Sequence, residues 1–325
     1  MRAFKMAQPQ SLEQALLAAS KTEGPFSWIA GGTDLLDEIK NGTASPDIVM
    51  DLGTIPGLAG TRLEDGKMHI GAMTRLVDVV ENARIHEAFP ALHQAAFSVG
   101  SPQLRNTGTV GGNLCQRPRC WYYRDPEVTC RKKGGARCFA FRGRNRYHAI
   151  LGGGPCYIVH PSDLAPALIV LDAEVQIISP EGETSLPLED FFVLPRKDVR
   201  RENILEKNQI VKDIRIPFPP DETPKSAYVK LTERNAWDFA VVSAAVSRKG
   251  EGSGPGVLRI ALGGVAPVPW RLKTAEDMLQ GKPITDDLVR QAVEEALKEA
   301  RPLKENGYKR DLVHAAVADA VAKIL

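Results

Sequence analysis

Apolar and polar positions along this chain alternate between two periods, and together they predict an α+β protein. Leu12, Ala15, Leu16 and Ala19 recur at helical spacing behind Ser11, which forms a capping box with Gln14, so a helix is expected over 11–20. A short apolar strand over 26–30 runs into Gly31-Gly32 and then into an amphipathic segment at 35–39. Further strands are expected at 48–52 and 68–70, a helix behind Thr74 with Leu76, Val79 and Val80 on its apolar face, and another helix over 90–99. After residue 163 the pattern reads as a helix to Leu171, a strand over 173–179, a turn at 180–183 and a strand over 210–218. Pro219-Pro220 then suggests a boundary near residue 222. Beyond it, 228–232, 240–248 and 257–262 read as a three-stranded antiparallel meander. Three helices follow: one capped by Thr274, one marked by Leu288, Ala292, Val293 and Ala296, and a last one running to Leu325.

Composition narrows the class. A chain of 325 residues with 43% hydrophobic and 25% charged content buries a substantial core and favours two domains, or three small ones. The first twenty residues hold no apolar run long enough for an export signal, and no stretch reaches the length of a membrane span. A cytoplasmic protein is expected, or a periplasmic one if a partner subunit carries a twin-arginine signal. All five cysteines fall between Cys115 and Cys156, an odd number that suits reduced thiols better than a disulfide framework. The same stretch carries ten Lys and Arg against Asp125 and Glu127, although the whole chain is only +2. Such a patch can mark a nucleic-acid surface or the surroundings of a buried anion.

Two glycine turns carry the first chemistry. Ala30-Gly31-Gly32-Thr33-Asp34 stands between a strand and a helix start, where free backbone N–H groups can meet a phosphate. Glycine is needed at such a turn with or without a ligand. The second turn, Thr109-Val110-Gly111-Gly112-Asn113, follows Gln103, Arg105 and Asn106, whose side chains can donate to a pyrophosphate. Neither turn matches the dinucleotide fingerprint of a Rossmann unit or a P-loop.

With the stretches AGGTDLL, SPQLRN, TVGGNL, HPSDLAPAL and YVKLTERNAWDFAVVSAAV, the chain resembles the FAD-binding subunits of the molybdenum hydroxylases, the family of xanthine dehydrogenase, aldehyde oxidoreductase and carbon monoxide dehydrogenase. The resemblance covers nearly the whole chain. It implies a p-cresol methylhydroxylase-type FAD-binding domain of two α/β subdomains over 1–222, and a C-terminal domain over 223–325 with a three-stranded antiparallel sheet and helices. It further implies that Ile29, Ala30, Gly31, Gly32, Thr33, Asp34 and Leu35, with Gln103, Asn106, Thr109, Gly111, Gly112 and Asn113, hold the FAD. Asp163 is implied on a flavin-side hydroxyl or ring edge, and Lys230 near the isoalloxazine, where a cation stabilises reduced flavin. From the residues alone, Asp163 equally suits helix capping, a role open to Ser162, and Lys230 an exposed strand position.

The insertion of about 40 residues from Cys115 sets this chain apart from most of that family. Its cysteine intervals contain no C-x-x-C, which argues against a zinc ribbon or ferredoxin motif. Flavin subunits of certain bacterial aldehyde oxidoreductases and of 4-hydroxybenzoyl-CoA reductase carry a similar loop around a 4Fe-4S cluster. The resemblance therefore implies Cys120, Cys130, Cys138 and Cys156 as cluster ligands, with Cys115 a packed free thiol. The expected function is electron transfer between a molybdopterin-bearing large subunit with a 2Fe-2S small subunit and an external acceptor. A reductase with reversed electron flow, a self-contained flavin oxidase and a nucleic-acid-binding module are the alternatives. No catalytic side chain is expected here, and no nucleic acid or membrane as partner.

Overall fold

The computed structural model describes residues 2–218, 224–249 and 256–325, so the boundary expected near residue 222 lies outside the described residues. Twelve strands among the described residues form three sheets. The first is parallel, with β1 (Lys5–Ala7) and β2 (Phe26–Ile29) flanking β3 (Ile48–Asp51). The second comprises β4 (Thr61–Glu64), β5 (Lys67–Gly71), β6 (Glu174–Ser179), β7 (Gly182–Pro187) and β8 (Ile210–Pro217) in the order β4-β5-β8-β6-β7, all pairs antiparallel. The third comprises β9 (Lys225–Leu231), β10 (Val242–Lys249), β11 (Val257–Gly263) and β12 (Trp270–Arg271), also antiparallel.

This is the expected α+β architecture, with differences of detail that have local causes. The C-terminal meander carries a fourth strand of two residues, too short to leave a periodic signal. β7 was hidden because its residues are mostly exposed and polar, paired only along the β6 edge. Thr74 does not cap the helix Leu76–Glu81, whose N-cap is Arg75. Its hydroxyl is tied to Gly60 instead, accepting from the amide and donating to the carbonyl, both at 2.9 Å. Thr274 lies inside the helix Lys273–Leu279. Ser11 does cap the first helix, accepting from Gln14 N–H at 3.2 Å, but Gln14 reaches back to the amide of Gln10 rather than to Ser11.

The third sheet is buried on both faces, and this positions one site. Tyr228, Ala245 and Ala261 join the core formed with the helices Pro90–Phe97 and Leu164–Val170. Val229, Ala244, Val246, Ile260 and Leu262 join the core under the C-terminal helices Asp286–Ala296 and Lys309–Ala322. Because side chains alternate along β9, Lys230 emerges on the same face as Tyr228, toward the N-terminus of Leu164–Val170.

Lys309 is fully buried in the second of these cores and donates to the carbonyls of Tyr147 and Gly264. Burial pushes its ammonium down to about 7. The unfolded chain then binds more protons than the folded one between about pH 7 and the ordinary lysine range, so folding gains stability as pH rises through that window. Denaturant unfolding should therefore show the wild type gaining on Lys309→Met between pH 7 and pH 10; a stability difference independent of pH would refute the shifted lysine.

Candidate cofactor sites

The first glycine turn packs on the chain just ahead of the second, and the second packs on Ala72 just after β5, each more closely than a side chain allows. A Cβ on Gly31 would lie 2.0 Å from the Thr107 carbonyl oxygen, and one on Gly111 would lie 2.9 Å from Ala72 Cβ. Gly32 follows at φ +72, in the left-handed region. The turns wall a cavity of about 640 Å³, inside the range of roughly 300–1,000 Å³ usual for ligand sites. Ala30, Gly31, Gly32, Thr33, Asp34 and Leu35 line it from one turn, and Thr109, Gly111, Gly112 and Asn113 from the other. Asp163 also lines it, while Ile29 and Lys230 stand behind the wall, and Gln103 and Asn106 are exposed on the helix Pro102–Thr107.

Sequence reasoning missed the far wall, made by Val99, Gly100 and the loop Trp237-Asp238-Phe239. Trp237 is 64% exposed, holds a positive φ of 54 and donates its amide to the Gly100 carbonyl at 3.2 Å. An exposed tryptophan in strained backbone beside a cavity is the pattern of a functional loop. Its signal in the sequence was the pair of aromatics around Asp238, in a stretch otherwise read for its strands.

Asp163, in the wall of this cavity, meets Lys230 just behind it. Lys230 Nζ lies 2.7 Å from Asp163 Oδ2 and donates to the Ser98 carbonyl at 3.1 Å, while the Tyr228 hydroxyl donates to Asp163 Oδ1 at 2.6 Å. Both ionic side chains are buried, and desolvation raises the Asp163 carboxyl above its ordinary value, opposed by Lys230. Asp163 occupies the N-cap position of Leu164–Val170 without capping it, since Ser162 Oγ accepts the Ala165 amide at 3.0 Å. Lys230→Ala leaves a buried carboxylate without its counter-charge and should cost about 3 kcal/mol in denaturant unfolding. Tyr228→Phe should cost about 1 kcal/mol; equal small losses would show the pair to be solvated.

The cysteine loop is fastened to the first glycine turn through one carboxylate. Asp34 Oδ2 accepts the Arg117 amide at 2.6 Å, and its Oδ1 accepts from Arg124 Nη2 at 2.6 Å and pairs with Arg119 Nη2 at 3.0 Å. Arg124 and Arg119 also reach Asp37, at 3.0 Å and 3.7 Å. Arg117 and Lys132 pair with buried Glu202, and Arg146 pairs with Glu233. Much of the loop's basic charge is thus spent on carboxylates from elsewhere in the chain, which is why a strongly basic segment sits in a nearly neutral protein. Asp34→Asn should cost about 2 kcal/mol, the scale of charge-assisted bonds, and expose the loop arginines to limited trypsin digestion. Unchanged cleavage would show that the anchor is dispensable.

All four cysteines named as ligands line one small enclosure, together with Tyr123, Lys132 and His148. Cys120, Cys130 and Cys138 each stand just before a short helical turn, at Trp121–Arg124, Arg131–Lys133 and Phe139–Phe141. Main-chain N–H groups therefore face the sulfurs: Tyr122 and Tyr123 at Cys120, Ala140, Phe141 and Tyr157 at Cys138, and Ile158 at Cys156. The proximity of Cys138 and Cys156 draws the first below the ordinary thiol value and holds the second above it. Cys115 is elsewhere, in the wall of the large cavity, and burial pushes its thiol up to about 12. No cysteine is in a disulfide. His148 Nε2 lies 3.2 Å from Cys120 Sγ, and burial pushes this imidazole down to about 4, so it is neutral at physiological pH. Among the described residues, no three His, Cys, Asp or Glu side chains converge tightly enough to hold a single metal ion.

The glycine-turn cavity and the antiparallel sheet with helices that follows it fall in two domains of known families. Residues 2–219 match the family described as FAD binding domain in molybdopterin dehydrogenase, and 227–324 match the CO dehydrogenase flavoprotein C-terminal domain. The aldehyde oxidoreductase FAD-binding subunit PaoB of Escherichia coli K12 is 36% identical over 329 residues, covering 99% of this chain and 98% of that one. The nicotinate dehydrogenase FAD-subunit of Eubacterium barkeri is 30% identical, with 88% of this chain and 82% of that one covered. Among solved structures, carbon monoxide dehydrogenase from Hydrogenophaga pseudoflava superposes with a TM-score of 0.78 at 26% identity, covering 99% of this chain and 97% of that one. The chain belongs to the FAD-binding medium-subunit family of the molybdenum hydroxylases, and is a flavoprotein component of an oxidoreductase.

Proposed function

We propose that this chain is the electron-transfer subunit of a molybdenum-containing hydroxylase or aldehyde oxidoreductase, carrying both FAD and a 4Fe-4S cluster. A large molybdopterin subunit and a small 2Fe-2S subunit are its partners, and electrons pass through the FAD to an external acceptor. The FAD-binding domain is taken as 1–222, with the cluster loop at 115–156, and the C-terminal domain as 223–325. The observation that carries the cluster is selective: four of five thiols surround one enclosure, and the fifth stands apart.

The residues present fit both groups. Bound FAD supplies two-electron chemistry and the cluster one-electron relay or structural support. Ala30 to Leu35 offer main-chain donors to a pyrophosphate, whereas the amides of Val110, Gly111, Gly112 and Asn113 are taken by Thr74, Ala72 and Thr109, so the second turn contributes a close backbone wall. Lys230, fixed by Asp163 and Ser98, keeps a cation at the edge of the flavin cavity, where it favours the reduced, more anionic ring. Burial holds the Cys120 thiol up, and the neighbouring Cys138 together with burial holds Cys156 up, while inward N–H groups, and Lys132 at Cys156, oppose this. Four sulfurs line one enclosure, the number of ligands that a 4Fe-4S cube takes.

Anaerobically prepared protein should contain four irons and one FAD, with a broad absorption near about 400 nm beside the flavin bands. Cys138→Ser should lose the iron and that shoulder, whereas Cys115→Ser should keep both iron and FAD. Iron retained by Cys138→Ser, or lost from Cys115→Ser, would overturn the ligand set.

A further inference from the structure

Five consecutive main-chain carbonyls in the cysteine loop, from Arg146 to Ile150, take their donors from one short stretch of the C-terminal domain. The Arg146 carbonyl accepts from the Tyr308 hydroxyl at 3.1 Å, and that of Tyr147 from Lys309 Nζ at 2.9 Å. Asn306 Nδ2 donates to the carbonyls of His148 and Ala149, at 3.0 Å and 3.2 Å, and the Arg301 amide to that of Ile150 at 2.7 Å. Asn306 is fully buried, and its Oδ1 accepts the Leu303 amide at 2.6 Å, which fixes the orientation of its side chain.

A second fully buried asparagine grips the same stretch from the loop side. The Asn145 amide donates to Glu305 Oε2 and its Oδ1 accepts the Glu305 amide, both at 2.9 Å. Its Nδ2 donates to the carbonyls of Ala140 and Gly143, each at 3.0 Å, and so closes the turn that follows Cys138. Three residues further on, His148 holds Nε2 at 3.2 Å from Cys120 Sγ. The segment 143–151 contains no helix or strand, so its buried carbonyls have no partner in an element of their own. Such groups need partners from elsewhere, and 301–309 supplies them. A domain that holds none of the four cysteines thereby braces the surroundings of Cys120 and Cys138.

We infer that Asn306 and Asn145 are positioning residues for the 4Fe-4S cluster, an inference that rests on the cluster reading of the proposed function. Neither touches a sulfur. Asn145 acts through the turn after Cys138, and Asn306 through the His148 carbonyl, which sets where that imidazole meets Cys120. Groups that orient ligands from behind typically change metal affinity by about 10–100-fold. Coupling of this kind is reciprocal. Docking of 301–309 therefore favours cluster retention, and the cluster in turn orders 301–309, so the loop and the C-terminal domain respond to iron as one unit.

The test uses the full chain loaded with FAD and iron, and times iron release to the chelator bathophenanthroline disulfonate. Asn306→Asp keeps the side-chain shape but sets an oxygen against two carbonyls. Val317→Ala loosens the C-terminal core away from the loop and serves as the structural control. Release roughly tenfold faster from Asn306→Asp, with FAD retained, is expected, against a rate within about twofold of wild type for Val317→Ala. Hydrogen exchange on the wild type gives the reverse reading and decides alone if Asn306→Asp does not fold. Removing iron should speed exchange at the Arg301 and Glu305 amides by about tenfold and leave the helix Asp286–Ala296 unchanged. Wild-type release from Asn306→Asp, equal acceleration by Val317→Ala, or exchange at 301–309 indifferent to iron would overturn the inference while the cluster stands. A wild type without iron removes the cluster reading and this inference with it.

Discussion

The carboxylate of Asp34 is the joint on which the arrangement of the glycine-turn cavity and the cysteine enclosure turns. It stands at the start of the helix Leu35–Lys40, directly after the first glycine turn, and takes an amide and two guanidinium groups from the cysteine loop. A charge-assisted bond contributes about 1.5–3 kcal/mol when partly buried, and here several share one anchor. An insertion of this length would otherwise carry a large ordering cost, since backbone fixation costs about 1–2 kcal/mol per residue. Ion pairs at its start, the Lys132–Glu202 pair in its middle and the docking of 147–151 on the C-terminal domain replace the hydrophobic core that the loop lacks.

This anchoring has a geometric consequence. Because the loop returns to the wall of the glycine-turn cavity, Arg119 borders that cavity and Cys120, the next residue, borders the thiol enclosure. The two sites are brought side by side by one peptide unit rather than by a domain interface. Basic charge, which in isolation suggests a polyanionic partner, is largely consumed internally, and of the two cations that border the thiols, Arg131 and Lys132, the second is itself paired with Glu202. A buried network then continues away from the enclosure: the Tyr123 hydroxyl donates to Glu38 at 2.6 Å and accepts from Arg117 Nε at 2.9 Å, and Arg117 pairs with Glu202.

The Asp163–Lys230 pair shows the same economy at the other end of the large cavity. Sixty-odd residues separate its members in sequence, with |i−j| of 67, yet burial of the third sheet on both faces leaves Lys230 only one direction to point. A lone lysine on a half-exposed sheet would have turned to solvent. Tyr228, two positions earlier on the same face, completes the carboxylate's partners. The ion pair therefore follows from the layering of helices over the sheet, not from any local motif.

What the sequence determined by itself was the local chemistry. Glycine is demanded at 31 and 111 by close packing of other chain segments and at 32 by a positive φ, the helical and strand periods are set by which residues must leave water, and five cysteines in one polar stretch announce thiol chemistry. These are legible because each depends on residues close in the chain. What only the tertiary structure decided was who meets whom: that Asp34 holds arginines, that Cys115 is excluded from the set of four, that Trp237 and Phe239 wall the cavity, and that Gln103 and Asn106 face away from it. Those outcomes rest on packing and on the pairing of charges distant in sequence, and the energy of such a contact leaves no period or spacing in the chain that forms it.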